Sequence, residues 1–166
     1  KRIVHNEHAS ARLTLVTALA DAPHESAIDI LRDCAADKDG VVRRAAVESL
    51  VQRKNSSAFT AITAIVNSEH FGACDKSERQ LLLNAFSKIG GENAVPLLSQ
   101  MITAYNVFGS SDMSFGRQAA FEALCHNQSD KADWELVSLS KTWRPQIKTM
   151  ALDAIRRRRE IMFGGE

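Results

Sequence analysis

Proline and glycine are scarce in this sequence. The 166 residues include only 3 Pro and 8 Gly, and long stretches contain neither. Turns and strand boundaries draw heavily on both residues, so this scarcity argues against a turn-rich β fold and favours helices. Apolar residues make up 45% of the chain, which predicts a globular protein and not a disordered one.

Cysteine is equally sparse. Cys34, Cys74 and Cys125 are the only three, and no two of them form a CxxC pair. An odd number without paired spacing argues against a disulfide framework, and reduced thiols fit a cytoplasmic protein. Cys34 and Cys125 lie in apolar helical runs, where cysteine usually behaves as a small buried hydrophobe. We therefore expect a cytoplasmic protein with free thiols.

Neither sign of charge dominates. Lys and Arg number 21 against 20 Asp and Glu, so the molecule has no overall field that would attract nucleic acid or an anionic membrane. No apolar run approaches the roughly 18 residues that cross a bilayer, and we expect no membrane insertion. The chain opens KRIVHNEH, with neither an initiator Met nor an apolar leader, so a piece of a longer protein is one expectation.

Motifs of catalysis and of metal binding are missing from the sequence. There is no GxSxG, no glycine-rich phosphate loop and no carboxylate pair set apart from ordinary helix surface. His5 and His8 form HxxH, and His70 and Cys74 form HxxxC, but no second pair follows at zinc spacing. We predict no catalytic residue, no cofactor and no metal site.

What the sequence does contain is a repeated segment. GRQAAFEAL (116–124) has the pattern of VRRAAVESL (42–50), and ARLTLVTAL (11–19), ERQLLLNAF (78–86) and IKTMALDAI (147–155) align with both without gaps. The ninth position is always large and apolar. The second position is always basic, and these five residues form a basic ladder: Arg12, Arg43, Arg79, Arg117 and Lys148.

Each repeat also has an earlier segment. Four such segments align with one another: ESAIDILRDCA, SSAFTAITAIV, ENAVPLLSQMI and ADWELVSLSK. The aligned residues are SAI, SAF, NAV and ADW. Apolar residues follow helical spacing in both segments of a repeat. Asp39-Gly40 separates the segment ESAIDILRDCA from the segment VRRAAVESL. The repeated unit is therefore predicted to be a pair of antiparallel helices. Small residues such as Ala45-Ala46 and Ala119-Ala120 let the two helices approach closely.

This helix pair, with Asp39-Gly-Val-Val-Arg43-Arg-Ala-Ala followed by Leu50, resembles the HEAT repeat and its bacterial HEAT-like (PBS-lyase-type) relatives. The resemblance spans residues 9–160. It implies an all-α, armadillo-type fold, a right-handed α–α superhelix (solenoid) of about four and a half antiparallel helix pairs. We predict one domain over residues 1–166, with a half repeat at 9–22 and full repeats at 23–54, 55–90, 91–128 and 129–162.

The basic ladder allows two interpretations. It suggests a phosphate site, or else each basic residue bonds to a preceding Asp or carbonyl and ties neighbouring repeats together. The resemblance implies the structural role, and the four-residue offsets from Asp39 to Arg43 and from Asp75 to Arg79 support it.

The run IRRRRE (155–160) is the strongest charge cluster. Successive helical residues are about 100° apart, so its arginines cannot share one face. We predict an apolar stripe of Ala151, Leu152, Ile155 and Met162, with the arginines around it as the polar face of a terminal capping repeat. A contact with nucleic acid or an acidic partner is the alternative.

The resemblance also implies that the second helix of each pair lines a concave face. The outward positions would be Arg44, Glu48, Gln52, Gln80, Asn84, Lys88, Gln118, Glu122, His126, Thr149, Asp153 and Arg157. Their middle column is polar to acidic throughout: Thr17, Glu48, Asn84, Glu122 and Asp153. It suits a basic or polar partner, with an ordinary solvated face as the alternative. We predict these partner-binding residues: Arg44, Glu48, Gln80, Asn84, Lys88, Gln118, Glu122 and Asp153.

Three aromatic features remain. AYNVFGSSDMSFG (104–116) is predicted to be an unusually apolar connection, which either folds back over the repeats or contacts a partner. Trp134 and Trp143 are predicted to pack in the core or at its edge.

The function that follows is a non-catalytic scaffold that binds a protein or peptide on its concave face. Two other classes stay open by resemblance. HEAT-like bilin lyases, or lyase chaperones, need a hydrophobic groove with a nearby acid or base. HEAT-like DNA-alkylation repair proteins grip the duplex on a basic face, against which the net charge and the acidic column argue.

Overall fold

All regular secondary structure in the residues that the structure describes is helical. A computed structural model describes residues 8–104 and 111–163, with only the backbone at 111–114 and 163. These residues form ten α-helices and one 3-10 turn, with no strand among them. None of the described helices is both long and apolar enough to cross a membrane. The chain divides into two compact units, Lys1–Ile89 and Gly90–Glu166.

Unit 1 consists of stacked antiparallel helix pairs. Its helices are α1 (Ala9–Ala20), α2 (Ser26–Cys34), α3 (Gly40–Arg53), α4 (Ser56–Val66), α5 (Glu69–Ala73) and α6 (Lys76–Gly90). α2 packs against α3 within one pair, α1 packs on α3, and α2 packs on α4. In this unit first helices therefore stack on first helices and second helices on second helices. The short helix α5 was not predicted.

Side-chain caps start these helices where the sequence signals lie. Asp39 Oδ1 accepts hydrogen bonds from the amides of Val41 and Val42, at 2.8 and 3.3 Å. Asp75 Oδ1 accepts from the Glu78 amide at 2.9 Å. Each bond satisfies an amide at the free end of a helix. The side chain of Arg43 bonds to Asp37 and Glu78, so its predicted pairing with Asp39 was wrong. The pairing of Asp75 with Arg79 stays a prediction.

Unit 2 repeats the arrangement. After a 3-10 turn (Gly91–Asn93) come α7 (Val95–Thr103), α8 (Ser111–Cys125), α9 (Asp130–Ser140) and α10 (Pro145–Phe163). α7 pairs with α8 and α9 with α10, while α8 stacks on α10 and α7 on α9. The predicted connection 104–116 is too long, since α8 begins at Ser111. Tyr105, Val107 and Phe108 lie outside the described residues.

Burial corrects the alignment of the first helices by one residue in the last repeat. Ala27, Ala58, Ala94 and Ala132 are all buried, and so are the residues four positions later, Leu31, Ile62, Leu98 and Leu136. The segment that matches SAI is therefore KAD (131–133) and not ADW. Trp134 then falls at a position that is exposed in every repeat, and it is 76% exposed. Trp143 is 79% exposed, so the predicted packing of both tryptophans was wrong.

The face that α10 buries also differs from the predicted stripe. Ile147, Ala151, Ala154 and Arg158 are buried, whereas Leu152 and Met162 are 52% and 43% exposed. Of the predicted stripe, only Ala151 is fully covered and Ile155 is half-buried. The sequence did not predict Arg158 as a buried residue, because a charged side chain is expected at the surface when its partners cannot be identified from the sequence.

Arg158 is buried because it completes the end of a neighbouring helix. Its guanidinium donates to the carbonyls of Leu124, Cys125 and Asn127, where α8 ends, and pairs with the carboxylate of Asp133. In unit 1, Arg53 stands at the same position of its repeat. It donates to the carbonyls of Leu19 and Ala22, where α1 ends. Carbonyls at a helix C-terminus have no partner within the helix, so these two arginines satisfy them from the next repeat.

Adjacent arginines allow a matched test of this role. We expect Arg158→Met to lower the free energy of unfolding by about 3 kcal/mol, because it leaves buried carbonyls and Asp133 without a donor. Arg159→Met removes an exposed arginine of the same run and should change stability by less than about 0.5 kcal/mol. Urea unfolding of both variants measures the difference. Equal losses would show that Arg158 is as dispensable as its neighbour.

The three thiols are free and buried, and burial raises the pKa of each. For Cys125 burial raises the pKa to about 11. Since the thiolate is the reactive form, we expect negligible reaction of the native protein with Ellman's reagent at pH 8 and release of three equivalents after unfolding. Rapid labelling of a native thiol would contradict the described packing.

Candidate functional site

Four of the five residues of the basic ladder, Arg12, Arg43, Arg79 and Arg117, have a structural role in the part of the chain that the structure describes. Arg12 binds Asp37 in two places, with Nε to Oδ2 at 2.7 Å and Nη2 to Oδ1 at 2.8 Å. Asp37 lies in the turn between α2 and α3, so this ion pair ties α1 to the following helix pair. Arg43 donates Nη1 to the carbonyl of the same Asp37 at 2.7 Å, and donates Nε to Glu78 Oε1 at 2.7 Å. Asp37 is therefore the junction of two ladder arginines.

Carbonyl partners account for the next two ladder positions. Arg79 Nε donates to the Cys74 carbonyl at 3.1 Å. Arg117 Nε donates to the Ile102 carbonyl at 2.8 Å, and its Nη2 to the Ala104 carbonyl at 3.1 Å. The predicted bond to a preceding carbonyl is confirmed for Arg43, Arg79 and Arg117, although each of these carbonyls lies in the same repeat as its arginine. Ties between repeats are formed by Arg12 with Asp37 and by Arg43 with Glu78. Arg12 differs because its carboxylate partner follows it in the chain.

A groove lies between α3 and α6 in unit 1. It encloses about 360 Å³ and its lining divides into an apolar floor and a polar rim. We call it the α3–α6 groove. Its floor is Val47, Val51, Leu81 and Ala85, and its rim is Glu48, Gln52, Asn84 and Lys88. Every rim residue belongs to the row predicted from the sequence, and three of them, Glu48, Asn84 and Lys88, are predicted partner-binding residues.

The other predicted residues of unit 1 lie beside the groove and not in its lining. Arg44 is exposed on α3. Gln80 donates Nε2 to Asn84 Oδ1 at 3.0 Å, which orients the amide of Asn84 at the rim. The hydroxyl of Thr17 donates to the carbonyl of Leu13 at 3.0 Å, so its donor is satisfied within α1.

In unit 2 the predicted residues meet through an arginine. Arg157 Nη1 donates to Glu122 Oε2 at 2.7 Å, and its Nε lies 2.9 Å from Asp153 Oδ2. His126 Nε2 is 3.2 Å from Glu122 Oε1. Glu122 and Asp153, on α8 and α10, are thus brought together and partly neutralised. Gln118 is exposed on α8, and Thr149 bonds back to the Pro145 carbonyl at 3.0 Å.

Sequence reasoning missed the apolar floor of the groove. It selected outward positions by polarity and left their apolar neighbours to the core. A signal was present, because Val47 and Val51 flank Glu48, and Leu81 and Ala85 flank Asn84, each pair at i and i+4. Val51 and Leu81 are half-buried, which sequence alone does not distinguish from full burial.

Stacked helix pairs with a groove along the second helices define a helical repeat protein. The family model of the HEAT repeats matches residues 1–74 of the chain. This match supports a HEAT-repeat protein, as the resemblance of the Asp39–Leu50 segment implied. Comparison with curated proteins gave no match.

The Asp37 junction makes stability depend on pH. Burial, the largest single influence, raises the pKa of Asp37, but the hydrogen bonds from the Arg12 guanidinium and the Asp39 amide outweigh it and hold the pKa below its ordinary value. A depressed carboxyl pKa stabilises the fold above the unfolded value of about 4, and this contribution is lost as the pH falls through the folded value.

We therefore expect Asp37→Asn to lower Tm clearly at pH 7 and to differ progressively less from the wild type as the pH falls below about 4. Thermal unfolding of both proteins from neutral to acidic pH measures this convergence. Asp33→Asn is the matched control, since Asp33 is exposed and its Arg32 partner is adjacent in sequence. A constant difference across the range would mean that the Asp37 charge is not responsible.

Proposed function

We propose that the protein is a non-catalytic scaffold and that a segment of a partner protein binds in the α3–α6 groove. HEAT repeats are commonly used for protein interaction, and their helices present extended surfaces from a rigid framework. The observation that carries the proposal is the composition of this groove. An apolar floor with polar groups around it is typical of a site that takes an apolar side chain and fixes its backbone.

The rim determines which partner fits. Glu48 and Lys88 carry opposite charges, and Gln52 and Asn84 supply amide donors and acceptors. Such a rim pairs with main-chain amides and carbonyls as well as with charges of either sign. The partner segment is therefore expected to be of mixed polarity, with an apolar residue that enters between Val51 and Leu81.

Unit 2 offers a different surface. Glu122 and Asp153 are both engaged with Arg157, so the acidic column is not a row of free carboxylates there. A basic partner would have to displace Arg157 before it could bind these two residues. We assign partner binding in the first place to the α3–α6 groove for this reason.

Photo-crosslinking tests the location of the site. A benzoylphenylalanine at Gln52, at the rim, is expected to capture a partner from native lysate, whereas the same group at the exposed Lys38 is expected not to. The mass of the crosslinked peptide identifies the partner segment. Identical captures from both positions would show that contact does not depend on the groove.

Charge-matched variants test the affinity. Glu48→Lys with Asn84→Lys should weaken binding of the captured partner about tenfold or more, which corresponds to about 1.4 kcal/mol. Asn67→Lys with Glu69→Lys makes the same substitutions at exposed positions of the same unit outside the groove. Equal affinity of the two double variants, with unchanged unfolding curves, would refute the groove as the binding site.

A further inference from the structure

Burial in the second helices reveals which flank of each helix faces which neighbour. At the sixth position of the repeated segment, Val16, Val47 and Phe121 are almost completely buried, whereas Leu152 is 52% exposed. At the eighth position the exposed residue lies in the first helix of the series, α1, and not in the last. Ala18 is exposed in α1, and its equivalents are buried: Ser49, Ala85, Ala123 and Ala154.

The sixth and eighth positions therefore lie on opposite flanks of each second helix. Within each unit the contacts of the second helices agree with this: α1 packs on the following α3, and α10 packs on the preceding α8. α10 is covered on its eighth-position flank, where Ala154 is buried, and open on its sixth-position flank. The open flank has a continuous outer stripe, at spacings of three and four residues: Lys148, Leu152, Ile155, Arg159 and Met162.

The outer stripe of α10 reproduces a stripe that α3 buries. Lys148, Leu152, Ile155 and Arg159 align with Arg43, Val47, Leu50 and Lys54, so the two segments share the order basic, apolar, apolar, basic. Lys54 is exposed and directly follows the last residue of α3. On α3 the two apolar residues are buried. Its first basic residue, Arg43, pairs with Glu78 in the first turn of α6.

On α10 the corresponding charges are open. Lys148 and Arg159 are exposed, and in the part of the chain that the structure describes no carboxylate lies within ion-pair distance of either. Val137, on α9, which packs against α10, is also exposed, at 39%. The outer stripe thus combines the exposed Leu152 and the half-buried Ile155 with two cations that have no carboxylate partner among the described residues.

We propose that the outer stripe of α10 docks an amphipathic helix of a partner protein, and that a carboxylate of this helix pairs with Lys148 as Glu78 pairs with Arg43. A second copy of this chain does not fit, because antiparallel pairing of two stripes places Lys148 opposite Arg159 and brings like charges together. The proposal concerns unit 2 and does not depend on the α3–α6 groove.

The chain itself provides a probe for this surface. A synthetic peptide with the sequence of α6, Lys76–Gly90, carries both the apolar face and Glu78. Titrated into the isotopically labelled full-length protein, it should shift the amide NMR signals of α10 along the outer stripe. A Kd of about 1 mM or tighter is sufficient for detection.

Exchanging the charges of Glu78 in the peptide and Lys148 in the chain distinguishes a specific ion pair from non-specific apolar binding. The peptide variant Glu78→Lys should bind the wild-type chain at least about fivefold more weakly, and should recover on a Lys148→Glu chain. Leu152→Glu, at an exposed position that leaves the fold intact, should abolish the shifts. Thermal unfolding confirms that both chain variants are folded.

Three results would overturn the proposal. One is the absence of any shift on α10 at about 1 mM peptide. Another is equal binding of both peptides to both chains, which would mean that Lys148 does not select a carboxylate. The third is concentration-dependent self-association that Leu152→Glu removes, because the stripe would then be covered by a second copy.

Discussion

A helix pair that has apolar side chains on its flanks cannot bury them alone, and the stacking of helix pairs within each unit of this protein follows from that constraint. In the second helices the contact is built from a large residue at the sixth position and a small one at the eighth. In unit 2, where α8 packs on α10, Phe121 at the sixth position of α8 and Ala154 at the eighth position of α10 are both fully buried. Because the same nine-residue pattern supplies both sides, repetition of the sequence is also repetition of the interface.

Arginine adds direction to this non-directional packing. Arg12 and Arg43 converge on Asp37, one at its carboxylate and the other at its carbonyl. Arg53 and Arg158 each reach the carbonyl end of the preceding second helix. A planar guanidinium with five donors can serve two or three acceptors at once. Lysine cannot replace it there, and the one ladder lysine, Lys148, stands on the open flank of α10.

The sequence was sufficient to predict the helix pairs and the helix boundary at Asp39-Gly40, because these depend on local spacing and on capping. It was insufficient where partners far apart in the chain decide the outcome. Arg158 and Asp133 are 25 residues apart, and without that pairing a run of arginines reads as surface. The rim of the groove could be predicted, because polarity alone marks Glu48 and Asn84 as outward-facing. Its floor could not, because only the packed structure shows how much of Val51 and Leu81 stays exposed.

Energetics explain why the outer stripe of α10 requires a partner of particular chemistry. Complete burial of a leucine or isoleucine side chain stabilises a complex by about 1.5–3 kcal/mol. Covering an ammonium group without a counter-ion costs several kcal/mol, so a purely apolar helix that covered Leu152 and Ile155 together with Lys148 would gain almost nothing. A helix that places one carboxylate against Lys148 removes that cost and keeps the apolar gain. Arg43 in unit 1 is neutralised in the same manner, by the carboxylate of Glu78 on the neighbouring second helix. Selectivity at this flank therefore rests on the cation, whereas the affinity comes from the apolar residues beside it.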